Sequence, residues 1–68
     1  MQLSTRNQLK GKITALKTGP VSTEVTVDIG GQTLVVASIT TGSAESMGLK
    51  VGDDVSALVK ASSVMIAK

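Results

Sequence analysis

Ser22-Thr23-Glu24-Val25-Thr26-Val27-Asp28-Ile29-Gly30-Gly31 decides how this chain is read. Val25, Val27 and Ile29 alternate with Glu24, Thr26 and Asp28. Successive side chains of a strand point to opposite faces, so the stretch is a strand with one apolar and one solvated side. Gly30-Gly31 follows as a tight hairpin turn, because glycine tolerates the positive φ that such loops need. Gln32 to Thr40 returns as another strand, but its alternation fails. Leu34, Val35, Val36, Ala37 and Ile39 place apolar groups on both faces. Both faces therefore require burial. In a chain of 68 residues, one of them is expected to be covered by another subunit.

Upstream, Leu9, Gly11, Ile13 and Ala15 alternate with Lys10, Lys12 and Thr14, which predicts a strand from Gln8 to Leu16 with one basic face. Gly11 inside it points to a bulge or a close backbone approach. Lys17-Thr18-Gly19-Pro20 is a turn signal. Downstream, Thr41 to Gly48 predicts one or two helical turns, capped by Thr41, Gly42 or Ser43 and stopped by Gly48. A turn at Val51 to Asp54 leads into a fourth strand, Val55 to Lys60. Ala61-Ser62-Ser63 connects it to a fifth, Val64 to Ala67, apolar on both faces. This order is that of the OB-fold. The expected fold is all-β: one domain over residues 1–68, a small five-stranded OB-fold-like Greek-key barrel with a short helix between strands 3 and 4.

Composition narrows the function. A chain this short buries only ~60% of its unfolded surface, so its core is marginal. Disulfides, a structural metal or oligomerisation usually compensate. The chain has no Cys and no His, which removes disulfides, thiolate zinc, the commonest transition-metal ligand and the commonest general base. It has no Phe, Trp or Tyr, so Val, Ile, Leu, Ala and Met must form the core. Oligomerisation is the remaining remedy. Net charge is +2, from 7 basic and 5 acidic residues, and the basic residues are scattered. OB-folds bind single-stranded nucleic acid by stacking bases on aromatics in a positive groove. Neither ingredient is present, so no nucleic-acid partner is expected. No apolar run approaches the ~20 residues of a membrane span, and Met1-Gln2-Leu3-Ser4 has no signal-peptide character. A cytoplasmic protein without a membrane partner is expected.

Catalysis lacks its usual parts. Ser and Thr are plentiful, but no His activates them, and a Ser62–Lys60 pairing is a common feature of exposed strands. Asp53-Asp54 reads as a solvated turn, not as an acid–base pair or a calcium site. Small-anion binding is better served, since it needs fixed cations, hydroxyls and free N–H groups. Three places qualify. Arg6, the only arginine, stands with Ser4 ahead of the first strand; Thr40 to Ser43 opens the helix; Lys60 and Ala61 end the fourth strand.

Ser4-Thr5-Arg6-Asn7-Gln8-Leu9-Lys10-Gly11-Lys12-Ile13 resembles the opening motif of the molbindin family, small molybdate-binding proteins of the Mop type. The same module occurs as the TOBE domain in molybdate regulators and transporter ATPases. The resemblance continues through Gly19 to Val27, Ser38-Ile39-Thr40, Gly48-Leu49-Lys50-Val51-Gly52 and Val59-Lys60-Ala61-Ser62-Ser63-Val64-Met65-Ile66, essentially the whole chain. Thr5 departs from it, since the family commonly has Ala there. The resemblance implies an OB-fold assembled as a hexamer, a trimer of dimers, with oxyanions held between subunits. It places the main site on Ser4, Arg6, Thr40, Ser43, Lys60 and Ala61, the same three places, and further sites on a symmetry axis, for which the turn from Gly19 to Ser22 is a candidate. The expected function is reversible binding of molybdate or tungstate for intracellular storage or homeostasis, with no cofactor, no resident metal and no enzymatic activity. Two alternatives stand beside it: an oligomerising structural or interaction module, and the detached ligand-sensing domain of a molybdate regulator or transporter.

Overall fold

A computed structural model describes residues 6–68. The chain forms β1 (Asn7–Thr18), β2 (Ser22–Gly30), β3 (Thr33–Thr40), the helix α1 (Thr41–Met47) and β4 (Asp54–Val59), followed by a 3₁₀ turn, Ala61–Ser63. The strands make one antiparallel sheet in the order β3-β2-β1-β4. Three hairpin-linked strands with the fourth returned beside the first is the Greek-key order. α1 supplies the long return.

β1 serves two partners. Asn7 to Lys12 pairs with β4, and Lys12 to Thr18 pairs with β2. The strand changes partner at a register shift between Ile13 and Ala15, where Thr14 is the extra residue. A bulge of this kind bends a strand and increases its twist. It also reverses the phase of the side chains: Ile13 is buried, Ala15 is exposed, and Leu16 turns inward. The uninterrupted alternation read from the sequence is therefore broken at Thr14 and not at Gly11. Gly11 meets the other expectation, a close approach. A Cβ there would clash with the carbonyl oxygen of Asp28.

Ile13 is 1% exposed and forms the core with Val25 and Val27. Leu16, Ile29, Ile39, Leu49 and Val55 pack around them. The β2–β3 hairpin turns on Gly31 and Gln32, at φ +60° and +63°, with Gly30 paired to Thr33. The sequence placed this turn one residue earlier.

Among the described residues the strands number four, and the expected fifth, Val64 to Ala67, does not form. After the 3₁₀ turn the chain runs on irregularly, with Met65 91% and Ile66 90% exposed. A strand exists only against a partner's N–H and C=O groups. Val64 to Ala67 meets no such edge among the described residues, whose sheet is curled and four-stranded, with β3 and β4 as its outer strands. On β3, Leu34 and Val36 are 58% and 60% exposed, the second apolar face that its sequence announced.

Two substitutions check this account. Gln32→Gly should raise stability by about 1 kcal/mol, since a side chain at positive φ is strained. That corresponds to a melting-temperature gain of about 4–8 °C in a domain of this size. Gly11→Ala should lower the melting temperature sharply, because the Asp28 carbonyl is rigid backbone.

Candidate functional site

Asn7 and Val59 are the last register pair between β1 and β4, and the Asn7 side-chain amide donates to the Val59 carbonyl at 3.1 Å. One step beyond this pair stand Arg6 and Lys60, both exposed. Like charges brought together at adjacent strand ends are unfavourable. Among the described residues, the ion pair is Lys12 with Asp54 at 2.9 Å, and no carboxylate compensates Arg6 or Lys60. Register alone sets the other strand cations differently. Lys12 faces Asp28 as well as Asp54, and Lys17 faces Glu24. Lys10 stands opposite Ser56, so carboxylates face two of the three lysines of β1, while among the described residues none faces Arg6 or Lys60 where β1 begins and β4 ends.

Lys60 then turns the chain into the 3₁₀ segment. Its carbonyl accepts from Ser63 N–H at 2.8 Å, and that of Ala61 accepts from Val64 N–H at 3.3 Å. Among the described residues, the Ala61 and Ser62 N–H groups have no backbone acceptor. Two cations and outward backbone donors with no acceptor among them suit an anion. Ser4 lies outside the described residues.

Thr40 and Ser43 are elsewhere. Thr40 ends β3, pairs with Ser22, and lies near the Thr18 end of the 12-residue β1, the opposite end from Arg6. It is also the N-cap of α1, in place of the Thr41, Gly42 or Ser43 expected. Thr40 Oγ1 accepts from Ser43 N–H at 3.1 Å and donates to Ser43 Oγ at 2.7 Å. The Ser43 N–H is therefore engaged in the cap and is not offered to a ligand. A hydroxyl carries one proton. Thr40 gives its proton to Ser43, which leaves the Ser43 proton directed elsewhere and polarised by the bond it accepts. α1 closes on Gly48 at φ +63°, whose N–H reaches Glu45 O, while Leu49 N–H reaches Ala44 O.

The six expected residues thus fall into two groups on one chain: Arg6, Lys60 and Ala61 at one end, Thr40 and Ser43 at the other, with Ser4 not described. A hollow of about 660 Å³ holds none of them. It is an open groove lined by Lys10, Lys12, Asp28 and Asp54, where Lys12 already has a carboxylate, Asp54. A smaller hollow of about 260 Å³ beside the Gly19–Ser22 turn brings Lys17, Ser22 and Ser38 together, again with a carboxylate, Glu24. Asp53 accepts from Lys50 N–H and Asp54 pairs with Lys12, so the acidic turn has structural partners. No group of three or more metal-ligating side chains occurs among the described residues.

One arrangement near Thr40 went unread in the sequence. Thr23, 1% exposed, hydrogen-bonds Thr41 Oγ1 at 2.9 Å, and Thr41 Oγ1 donates to Gly19 O at 2.6 Å. The signal was available, because Thr23 occupies the inward phase of Val25, Val27 and Ile29.

The cap gives a direct check. Thr40→Ala should cost about 1 kcal/mol of stability, the usual value of an N-cap. Ser43→Ala keeps the cap acceptor and should cost less, as compared by urea denaturation.

The family model described as the TOBE domain matches residues 3–66. Molybdenum-pterin-binding protein 2 of Clostridium pasteurianum is 44% identical over 66 residues, covering 97% of each chain. Molybdenum transport protein ModE of Herbaspirillum seropedicae is 46% identical over 66 residues, 97% of this chain but 24% of that protein, so the present chain spans about a quarter of its length. The solved structure of a molybdate-binding protein from Sporomusa ovata superposes with a TM-score of 0.95 at 37% identity, each chain being covered completely.

Proposed function

The chain belongs to the TOBE-domain family, and from that premise we propose that it binds molybdate or tungstate reversibly, in sites completed between subunits of a homo-oligomer. The observation that carries this reading is the pair Arg6 and Lys60, which no carboxylate compensates among the described residues, beside the N–H groups of Ala61 and Ser62, which have no acceptor among them. The names of the relatives supply the anion: proteins of this length and fold are described as molybdate- or molybdenum-pterin-binding.

The donor set explains the chemistry. A tetrahedral dianion presents acceptor oxygens in every direction. Arg6 offers a planar fork of N–H groups and Lys60 a compact charge. The Ala61 N–H, the Ser43 hydroxyl and the Ser4 hydroxyl complete the shell. Thr40 acts on Ser43 by directing its proton. No carboxylate belongs to the set, so an anion bearing its own proton, such as monohydrogen phosphate, would leave an O–H without an acceptor. Every contact is a hydrogen bond or a charge, and the anion leaves without chemistry. The role is storage or buffering in the cytoplasm, with no turnover and no resident cofactor.

Separation of the two groups along β1 requires a second copy to bring them together. The surfaces for assembly are at hand: the outer strands β3 and β4, beside which no further strand lies among the described residues, the exposed Leu34–Val36 face, and the apolar tail through Ile66. The family pattern of a hexamer, a trimer of dimers, fits such a chain.

Isothermal titration tests the site. Arg6→Ala or Lys60→Ala should weaken molybdate binding about 10-fold or more, ~1.4 kcal/mol or beyond. Unchanged affinity in both variants would reject it. Light scattering at micromolar concentration should give the mass of several chains. Ile66→Asp should shift that mass toward the monomer and weaken molybdate binding, although no proposed ligand is altered.

A further inference from the structure

We propose that Thr41 is a positioning residue for the oxyanion site, holding Thr40 and Ser43 in place through the bond from its hydroxyl to the Gly19 carbonyl, the end of a hydroxyl relay whose first member, the buried Thr23, serves stability. The inference rests on the binding role proposed above. It names residues outside the six already considered.

The order of protons in the relay is fixed by the partners. Gly19 O can only accept, so the Thr41 hydroxyl proton goes to it at 2.6 Å. Thr23 must then donate to Thr41 Oγ1 at 2.9 Å. Thr23 is buried at 1% exposure, and Thr41 Oγ1 is its hydrogen-bond partner. The Thr41 N–H also reaches Val21 O at 2.9 Å. Two bonds from Thr41 thereby tie the first residue of α1 to the Gly19–Val21 turn, and that turn is closed by Gly19 N–H on Ser22 O at 2.9 Å.

This tie lies next to Thr40 at the point where an edge strand becomes a helix of two turns. Thr40 itself is held by its pairing to Ser22 and by its cap to Ser43. Neither fixes the direction in which α1 leaves the sheet. The Thr41 hydroxyl does, because it joins α1 to a turn on the neighbouring hairpin. An oxyanion held by groups from two chains tolerates little displacement of any one donor.

The geometry separates positioning from mere stability. Thr41→Val keeps the N–H bond to Val21 and the side-chain shape, but removes the bond to Gly19 and strands the buried Thr23 hydroxyl. Replacing both partners by apolar groups of the same shape can restore stability without restoring the tie. The experiment titrates sodium molybdate into the full chain and into Thr41→Val, Thr41→Ser, Thr23→Val and the double variant Thr23→Val/Thr41→Val, with melting temperatures taken without ligand. The expected result is a loss of affinity of about fivefold or more in Thr41→Val and in the double variant. Thr41→Ser and Thr23→Val, which keep the bond to Gly19, should stay within about twofold of the parent. The melting temperature should fall in Thr41→Val and recover in the double variant while its affinity does not. Affinity that recovers together with the melting temperature, or that is unchanged in Thr41→Val, overturns the positioning role. A parent chain that fails to bind molybdate overturns the binding role and this inference with it. A parent that binds, with Arg6→Ala weakened and Thr41→Val unaffected, overturns this inference alone.

Discussion

Everything in this fold depends on one strand being shared. β1 must pair with β4 over its first half and β2 over its second, and the exchange happens around Ile13. The Ile13 N–H donates to Asp53 O at 3.0 Å, and its carbonyl accepts from Gly52 N–H at 2.8 Å. Both backbone groups of the most buried apolar residue are thus satisfied by the turn that precedes β4. Buried backbone groups left unpaired are costly, so the bulge and that turn stabilise each other. Through this exchange β4 returns beside the start of β1, and Lys60 arrives next to Arg6. The charge pair is a consequence of the strand exchange and not of any local motif.

A core of Ile13, Val25 and Val27 with no aromatic is small. Such a domain gains little from burial beyond what chain entropy takes away. The fold is instead defined by backbone satisfaction: the bulge, the Gly31-Gln32 turn, the Thr40 cap and the Gly48 stop each fix one change of direction. Apolar area that one chain leaves open, on β3 and along Val64 to Ile66, is the counterpart of this small core.

The sequence was most readable where side chains alternate against solvent. β2, its turn, the two-faced β3 and the Gly48 stop are legible because period and glycine placement are local properties. Thr14 is not legible as a bulge, because nothing in Ile13-Thr14-Ala15 marks which residue is extra; the pairing with β2 decides it. Val64 to Ala67 has the pattern of a strand and pairs with no described strand, and pattern cannot distinguish an edge inside the molecule from one outside it. At the candidate site, Arg6, Lys60 and Ala61 were singled out from residue type and then found together by register. The Thr40 cap displaced its neighbours because Thr41 was already engaged with Gly19 and Val21. Such competition for partners is tertiary, and residue type does not express it.

The outer strands β3 and β4 have a thermodynamic consequence. On the proposed reading, the site is a property of the assembly, so subunit concentration and anion concentration are linked variables. Anything that binds the assembled form alone pulls chains into it by mass action. Capacity for the anion then rises more steeply than the number of chains, and falls more steeply on dilution. Coupling of this kind is reciprocal. The anion acts as a cross-link between copies, and a sheet left unclosed in one chain becomes the means by which the protein registers how much of itself, and of its ligand, is present.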